Sequence, residues 1–400
     1  MKRVVLTGAG TINPLGADVE GTIRALLSGQ TAIGALTAGD IGAESAPALP
    51  GAPIRGFRPQ DHFGPRDLAL LDRSTQFALV AARQAVAQSG LRFGDGNDTA
   101  AGVIIGSAGG GHMTADQVAR GIYGAVKSRP HPFSVPRLMM NAPASLIAME
   151  FGLTGPTFAV SSACASSNHA LALAFQMIRS GAMQVMLAGG ADAMLSEAGL
   201  ATWSGLRVLS PESCRPFSAD RTGLVIGEGA AVFVLEERDK ALARGAPVLA
   251  EIAGAAMGAD AGDIVRPDPA GAARAMRSAM ADAGLAAADV GYVNAHGTGT
   301  AANDKAEALA IASVFPRGVA VSSTKGAHGH LMGASGAVEL LACIAALREG
   351  CLAPTAGGRV PDPESPIDLV TGQARRARLA ASLSNAFAFG GLNAVIALKA

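Results

Sequence analysis

The chain has 400 residues, of which 49% are hydrophobic, 16% are charged and 4% are aromatic. This length exceeds what one hydrophobic core usually serves, so two domains or two fused halves are expected. The 32 basic and 32 acidic residues cancel, and no basic run stands out. That balance argues against nucleic acid or an anionic membrane as the main partner. The N-terminus does not have the pattern of a signal peptide, and no apolar stretch is long enough to span a bilayer.

The cysteines are few and far apart in the sequence. They are Cys164, Cys214, Cys343 and Cys351. They form no CxxC pair, and four cysteines in so long a chain do not make a disulfide framework. A reducing cytoplasm is therefore the predicted compartment.

In chain order, the first predicted element is a short strand at Val4-Val5-Leu6, which ends in a turn at Gly8 and Gly10. The same glycines begin a pattern typical of dinucleotide sites, but Asn13 stands where the third glycine belongs, so that pattern is too weak to use. A helix is predicted over residues 72–91, followed by a strand at 102–105 and a glycine-rich turn.

The second part of the chain repeats this order. A helix at residues 271–285 precedes a strand at 291–294 and another glycine-rich turn. The echo continues downstream, where a short strand runs into a nearly all-apolar helix in each part: residues 160–162 precede 170–178, and residues 321–323 precede 336–347. Since a helix that is apolar on every side is buried, these two helices are predicted to form a middle layer.

The alternation of strands and helices predicts an α/β fold with parallel sheets covered by helices. The repeat predicts two similar halves, residues 1–246 and 247–400, with the boundary near residues 243–247. The alternative is that glycine-rich turns resemble one another by chance.

Cys164 is the candidate nucleophile. It lies among small residues where a strand gives way to a helix, in the sequence SSACASS. Free N–H groups and the dipole at a helix N-terminus favour an anion, which would lower the pKa of the thiol. The alternative is a buried structural cysteine, and that is the interpretation we prefer for the other three cysteines.

Two later strands run into histidines and a lysine. One strand leads to His296, and the next leads to Lys325, His328 and His330. The carboxyl ends of strands are where α/β sheets place their sites, so these side chains are candidates for handling protons and negative charge. A locally satisfied histidine is the alternative, and His328 is ambiguous. A zinc site made of these histidines and Cys164 has a spacing unlike the common zinc motifs.

The tail of the chain allows two interpretations. Residues 385–393 (NAFAFGGLN) fit a simple hairpin turn before a final strand. Alternatively, Phe387 and Phe389 gate an apolar pocket, and composition alone does not choose between the two.

Together these segments resemble the β-ketoacyl-acyl carrier protein synthases, the elongating condensing enzymes of the thiolase superfamily. The resemblance covers nearly the whole chain. Its motifs are VVLTG at 4–8, PLG at 14–16, DR at 72–73, RPF at 215–217, GEGA at 227–230, DKAE at 304–307 and FGG at 389–391, besides those around Cys164, His296 and His330.

The resemblance implies a five-layered αβαβα fold, a homodimer and Cys–His–His catalysis without a cofactor or metal. Cys164 matches the family nucleophile, which takes an acyl chain from an acyl carrier protein. His296 and His330 match the histidines that stabilise the enolate formed when malonyl carrier protein loses carbon dioxide. The backbone N–H groups of Cys164 and Phe389 would form the oxyanion hole.

The family match also assigns supporting roles. Lys325 matches the family lysine and, with Glu307 and either Asp304 or Glu339, would order the charge network around the histidines. Ala108 falls where many relatives carry a bulkier pocket residue, which predicts a roomier acyl pocket beside Phe387.

The sequence departs from the common family pattern in four places. These are His328, Gly299, Ala388 and residues 260–263 (DAGD). The departures concern substrate range, and they hint at a specialised pathway such as nodulation-factor or polyene acyl synthesis.

Three other functions compete with this one. A thiolase would use acyl-coenzyme A and release no carbon dioxide. A non-catalytic ketosynthase-like partner would lack the cysteine, which is present here at Cys164. A protein that only binds acyl chains would not need the histidines. The sequence names neither the acyl chain nor the pathway, and it leaves a heterodimer with a ketosynthase-like subunit open.

Overall fold

The computed structural model describes residues 1–94, 101–124, 129–358 and 360–400. Its strands are β1 (Val4–Ile12), β2 (Gly34–Ala35), β3 (Pro50–Gly51), β4 (Ala101–Gly106), β5 (Thr157–Val160), β6 (Val185–Ala193), β7 (Glu228–Glu237), β8 (Ala250–Ala259), β9 (Val290–Asn294), β10 (Ala320–Ser322), β11 (Cys351–Leu352), β12 (Asp368–Leu369), β13 (Arg375–Arg376), β14 (Ala381–Ala388) and β15 (Leu392–Lys399).

The helices alternate with these strands along the chain. They are α1 (Val19–Leu27), α2 (Ala38–Ile41), α3 (Pro65–Leu68), α4 (Arg73–Ser89), α5 (His112–Tyr123), α6 (Ser134–Leu138), α7 (Ala142–Phe151), α8 (Ser166–Arg179), α9 (Glu197–Gly205), α10 (Arg238–Ala243), α11 (Pro269–Asp282), α12 (Ala301–Val314), α13 (Lys325–His328) and α14 (Ser335–Glu349). Short 3-10 turns cover Pro59–Asp61, Ala287–Asp289 and Met332–Ala334. None of the described helices is long and apolar enough to cross a membrane.

The main sheet has mirror order about its centre. Its strands follow the order β12-β10-β9-β14-β15-β8-β1-β7-β6-β4-β5. The two halves meet where β1 lies beside β8, at the centre of this order. Outward from that junction the first half continues with β7, β6, β4 and β5, and the second half continues in the same way with β15, β14, β9 and β10. The junction itself is short, since only Val4, Val5 and Leu6 of β1 pair with β8. The predicted internal repeat is therefore present as two similar halves, while the boundary at residue 246 stays a prediction.

The predicted parallel sheets are parallel only in their outer strands. In the first half three strands are parallel, β4 with β5 and β6. In the second half four strands are parallel, β9 with β10 and β14, and β10 with β12. Strands β7 and β15, which lie one place outward from β1 and β8, run antiparallel to both of their neighbours. In the second half the reason is local, because the chain reverses between β14 and β15 in a tight turn and hairpin-connected strands must be antiparallel.

Helices cover both faces of each half and produce the predicted five layers. In the middle layer α8 packs against α14, and residues 335–346 of α14 are all buried. Helices α4 and α7 lie on the outer face of the first half, and α11 and α12 lie on that of the second. The thiolase-like αβαβα architecture expected from the resemblance is confirmed.

The first strand is longer than predicted because its glycines serve packing. β1 continues through Gly8 and Gly10 to Ile12. A Cβ added at Gly8 would lie 2.0 Å from the carbonyl oxygen of Ala85, and one at Gly10 would lie 2.0 Å from that of Ala81. The two glycines thus let α4 pack directly on the strand, and they do not make a turn.

Candidate active site

Cys164 lies in the turn between β5 and α8, as the sequence predicts. The strand ends at Val160, the helix begins at Ser166, and the backbone at Ala163 is left-handed with φ 50°. A Cβ on Gly106 would lie 2.3 Å from the Ser166 carbonyl carbon, so this glycine lets the start of α8 pack against the end of β4. These contacts fix the thiol at the carboxyl edge of the first half.

The second half brings both predicted histidines to the thiol. His296 follows β9, and His330 follows β10 and the short helix α13. His330 Nε2 lies 3.1 Å from Cys164 Sγ, and the two imidazole rings are 5.5 Å apart at 81°. One ligating atom of each of the three side chains lies within 4.8 Å of the others. The nucleophile thus comes from one half and the imidazoles from the other.

Hydrogen-bond partners fix which nitrogen of each imidazole carries the proton. Met332 N–H donates to His330 Nδ1 over 3.2 Å, so Nδ1 presents a lone pair and Nε2 carries the hydrogen. The Lys325 ammonium, which can only donate, lies 3.3 Å from His296 Nδ1. Both rings therefore direct an Nε2–H group into the site, where it can stabilise negative charge on an oxygen or on sulfur.

Burial keeps both imidazoles neutral. It lowers the pKa of His296 and of His330 well below the usual value for histidine, and the positive charge of Lys325 lowers them further. Neutral imidazoles are hydrogen-bond donors that carry no charge of their own into the dry site.

The expected lowering of the thiol pKa is wrong. Burial raises the pKa of Cys164 to about 12, while the charge of Lys325 acts in the opposite direction. The helix effect is outweighed because Cys164 is excluded from water and lies before the first residue of α8. The resting side chain is therefore a thiol, and its proton must leave during the reaction.

Lys325 holds the backbone beside His296. Its Nζ donates to the His296 carbonyl oxygen over 2.6 Å and forms an ion pair with Glu339. Both charged side chains are 0% exposed. Of the three carboxylates considered from sequence, Glu339 is the one paired with the lysine.

Glu307 and Asp304 support loops and do not contact Lys325. Glu307 accepts the N–H groups of His296 at 2.8 Å and Gly297 at 2.7 Å, and burial raises its pKa to about 7. Asp304 accepts the N–H group of Phe217 at 2.7 Å. Lys325 and Glu307 thus both hold the backbone of His296, from its carbonyl and its N–H group, whereas Asp304 holds the segment at Phe217.

His328, which the sequence left ambiguous, is satisfied locally. Its Nδ1 lies 2.7 Å from the Gly329 carbonyl oxygen, and its Nε2 lies 3.0 Å from the Thr324 hydroxyl. Burial lowers its pKa to about 3. His169 likewise bonds its own surroundings, with Nδ1 2.9 Å from the Ser162 hydroxyl, and so supports the turn that carries Cys164.

The three clustered side chains do not suit a metal. Cys164, His296 and His330 are the one group with metal-ligand proximity in the described parts of the chain. A metal needs the lone pair of an imidazole nitrogen, but the Met332 N–H and the Lys325 ammonium already occupy the Nδ1 lone pairs. The nitrogens that face the thiol therefore carry hydrogens.

A cavity leads to the thiol, and both phenylalanines of the tail segment line it. Phe387 and Phe389 line it together with Cys164, both catalytic-candidate histidines and Trp203. Residues 389–391 form the hairpin turn between β14 and β15, so the hairpin interpretation is confirmed, while the role of the two phenylalanines as a gate stays a prediction. Phe389 stacks on Trp203 with ring centroids 6.1 Å apart.

Ala108 is not among the residues that line this cavity. Its N–H donates to Asp192 over 2.9 Å, on the floor of the turn after β4. The role of Ala108 in an acyl pocket stays a prediction.

Sequence reasoning missed two residues near the site. Asp192 is the one charged residue in β6 (VMLAGGADA), which is a signal that a sequence search for isolated charges could have used. Trp203, the single tryptophan, has no such signal because its partner Phe389 is distant in sequence. The other three cysteines are buried and free, as expected of structural cysteines.

Comparisons with known proteins agree with this geometry. The model of the beta-ketoacyl synthase N-terminal domain matches residues 1–241, and that of the C-terminal domain matches residues 249–359. The chain is 42% identical to nodulation protein E of Rhizobium sp. (strain N33), over 100% of this chain and 99% of the relative. It is 36% identical to 3-oxoacyl-[acyl-carrier-protein] synthase 2 of Staphylococcus aureus (strain N315), over 100% and 98%.

A solved structure of the ishigamide ketosynthase/chain length factor superposes with a TM-score of 0.92 at 33% identity, covering 100% of this chain and 99% of that one. Domain models, relatives and fold agree with the cluster of one thiol and two imidazoles. The chain therefore belongs to the beta-ketoacyl synthase family, and it is an acyl-transferring condensing enzyme with a Cys–His–His site.

Proposed function

We propose that the protein joins an acyl group held on Cys164 to the two-carbon unit of malonyl-acyl carrier protein, and releases 3-ketoacyl-acyl carrier protein and carbon dioxide. One observation carries this proposal. A buried thiol lies 3.1 Å from an imidazole nitrogen, and a second neutral imidazole stands beside it. A thiol makes a reactive thioester, and two N–H donors suit the enolate that decarboxylation produces.

In the first step the Cys164 sulfur attacks the thioester carbonyl of acyl-acyl carrier protein. A new carbon–sulfur bond forms, the bond to the carrier thiol breaks, and the Cys164 proton goes to the leaving sulfur. Since burial raises the pKa of Cys164 to about 12, this proton leaves during acyl transfer and is not lost beforehand. The backbone N–H groups of Cys164 and Phe389 are the proposed oxyanion hole for the tetrahedral intermediate.

In the second step malonyl-acyl carrier protein binds with its thioester oxygen between the two Nε2–H groups of His296 and His330. The bond to the carboxylate breaks, carbon dioxide leaves, and its electron pair becomes an enolate whose oxygen both imidazoles stabilise. The enolate carbon attacks the Cys164 thioester, the carbon–sulfur bond breaks, and the sulfur takes up the one proton that the decarboxylative condensation consumes from solvent. Lys325 acts by holding the backbone and Nδ1 of His296.

We further propose that two copies associate through the edge of the sheet at β5. This strand ends the main sheet, and its neighbour α7 carries an exposed Met149. Phe133, Val135 and Met139, around α6, are also exposed, at 47%, 66% and 45%. An unpaired edge beside an apolar surface favours pairing with another chain. A ketosynthase-like partner is the alternative, and light scattering of the protein expressed alone separates the two.

A specialised acyl chain is the proposed substrate class within the family. The support is the higher identity to nodulation protein E, 42%, than to 3-oxoacyl-[acyl-carrier-protein] synthase 2, 36%. Housekeeping elongation is the second candidate, and the carrier-bound chain lengths that the protein accepts distinguish them.

The deciding experiment supplies the protein with malonyl-acyl carrier protein and a series of acyl carrier proteins. Release of carbon dioxide and formation of 3-ketoacyl product are measured by scintillation counting and mass spectrometry. We expect both with the intact protein and neither with Cys164→Ala or His330→Ala. Absence of product at every chain length would refute the proposal, and turnover of acyl-coenzyme A without carbon dioxide would indicate a thiolase.

A further inference from the structure

Asp192 is a buried carboxylate outside the three side chains of the site. It stands near the end of β6 and is 0% exposed. Both of its oxygens accept two hydrogen bonds each. Oδ1 accepts from the Ser107 hydroxyl at 2.7 Å and Gly109 N–H at 3.0 Å, and Oδ2 accepts from Ala108 N–H at 2.9 Å and Gly333 N–H at 2.7 Å.

These four bonds join the two halves of the molecule. Three donors belong to the turn that follows β4, in the half that carries Cys164. The fourth, Gly333, belongs to the turn directly after His330, which is in the other half. A Cβ on Gly190 of the same strand would lie 2.7 Å from the Gly333 carbonyl oxygen, so β6 and this turn are in close contact.

The turn after His330 contains a strained residue, so contacts from outside the turn must stabilise it. Met332 has φ 50°, a left-handed conformation that costs energy for a residue with a side chain. In that conformation the Met332 N–H reaches His330 Nδ1 at 3.2 Å. Gly333, which follows it, is the residue bound by Asp192. The strained residue thus lies between the imidazole that it orients and the carboxylate that anchors its neighbour.

We propose that Asp192 is a positioning residue for condensation. It anchors the turn 331–333 so that the Met332 N–H faces Nδ1 of His330, and the Nε2–H group of the same ring then faces Cys164. The proposal rests on the proposed function for its kinetic consequence, but its structural consequence is independent of the reaction. If the anchor is lost, the remaining partner of Nδ1 is the Ser335 hydroxyl at 2.9 Å, which can donate to a bare nitrogen or accept from a protonated one, so the proton on the ring is free to occupy either nitrogen.

The first test variant is Asp192→Asn, which keeps the volume of the side chain. An amide has one acceptor oxygen where the carboxylate has two, and it carries no charge, so one pair of donors loses its partner and the other pair is held by weaker, neutral hydrogen bonds. Gly333→Ala perturbs the same contact from the other side, because its Cβ would lie 2.7 Å from Asp192 Oδ2. Ser107→Ala is the matched control, since it removes a bond to Asp192 and leaves the Gly333 bond in place.

The first readout is the 15N chemical shift of the His330 ring nitrogens in histidine-labelled protein, assigned with His330→Gln. We expect separate Nδ1 and Nε2–H signals in the parent protein and in Ser107→Ala. In Asp192→Asn and Gly333→Ala we expect the two signals to move toward each other. This measurement needs no turnover, so it decides the proposal even if the protein accepts none of the acyl carriers tried.

The second readout is condensation kinetics. We expect Asp192→Asn to lower kcat about 10–100-fold with little change in KM for malonyl carrier protein, because Asp192 does not line the cavity and acts through His330. If Asp192→Asn does not fold, Gly333→Ala carries the test. Unchanged His330 signals in the folded variants would overturn the proposal. So would a kcat in Ser107→Ala as low as in Asp192→Asn, since that result indicates general loosening.

Discussion

The buried ion pair of Lys325 and Glu339 gives the sharpest stability prediction. Both side chains are 0% exposed, and Glu339 Oε2 has no hydrogen-bond partner among the described residues. Its charge therefore depends on Lys325 alone. We expect Lys325→Met to lower the free energy of unfolding by about 3–5 kcal/mol at pH 7, because it leaves an uncompensated buried carboxylate.

Removing both charges should cost much less than the sum of the two single changes. The double variant Lys325→Met with Glu339→Leu leaves no unpaired charge, so we expect a coupling free energy of at least about 2 kcal/mol. The assay is urea denaturation followed by circular dichroism. Lys305→Met is the control, since its ion pair with Glu364 is exposed and we expect a change within about 0.5 kcal/mol.

Two results would refute this reasoning. If the single changes add without coupling, Glu339 is not held by Lys325. If Lys325→Met is as mild as Lys305→Met, the lysine is not needed for stability. Burial raises the pKa of Glu339 and Lys325 opposes that shift, so protonation of Glu339 limits the cost in Lys325→Met. The cost should accordingly shrink when the same denaturation is repeated near pH 5.

Three further predictions test other parts of the structure. Burial lowers the pKa of His328 to about 3 in the folded protein, whereas the unfolded chain protonates near a pKa of about 6.5, so the free energy of unfolding falls as the pH falls between these values. The difference in free energy of unfolding between the parent and His328→Asn, measured with urea, should therefore shrink by about 2 kcal/mol from pH 7 to 5. A difference that stays constant over this range would contradict the prediction. Gly10→Ala places a Cβ 2.0 Å from a carbonyl oxygen of α4 and should lower the melting temperature by several degrees, whereas Gly34→Ala, with nothing within 4 Å, should not; equal melting temperatures would be the contrary result. Iodoacetamide should modify Cys164, which lines the cavity, before Cys343, and peptide mass spectrometry showing the reverse order would exclude Cys164 as the accessible thiol.

Much of the fold could be predicted because the repeated helix-to-strand units are marked by short sequence patterns, such as a glycine at the end of a helix. The helices α4 and α11 are each followed by a left-handed glycine, Gly90 at φ 70° and Gly284 at φ 61°, and each precedes a strand. The buried character of α14 follows from its apolar sequence. Strand direction had no such local signal, since it depends on how distant segments connect.

The site was predicted where it follows a strand and missed where it depends on distant partners. Cys164, His296 and His330 each follow a strand, so position along the chain sufficed. The partner of Lys325 could not be chosen among three nearby carboxylates without the third dimension. The pKa of Cys164 was predicted in the wrong direction because helix position is visible in a sequence, whereas exclusion of water is not.

The dryness of the site has a consequence for the timing of the reaction. Cys164, His296 and His330 are only 6%, 2% and 1% exposed. In the proposed reaction an acyl thioester on Cys164 waits for a second carrier protein, and water is its main competitor during that wait. Exclusion of water raises the pKa of the free thiol, and the same exclusion would protect the acylated enzyme from hydrolysis. If the proposed reaction holds, burial sets the lifetime of this intermediate, and with it the concentration of malonyl carrier protein that productive turnover requires.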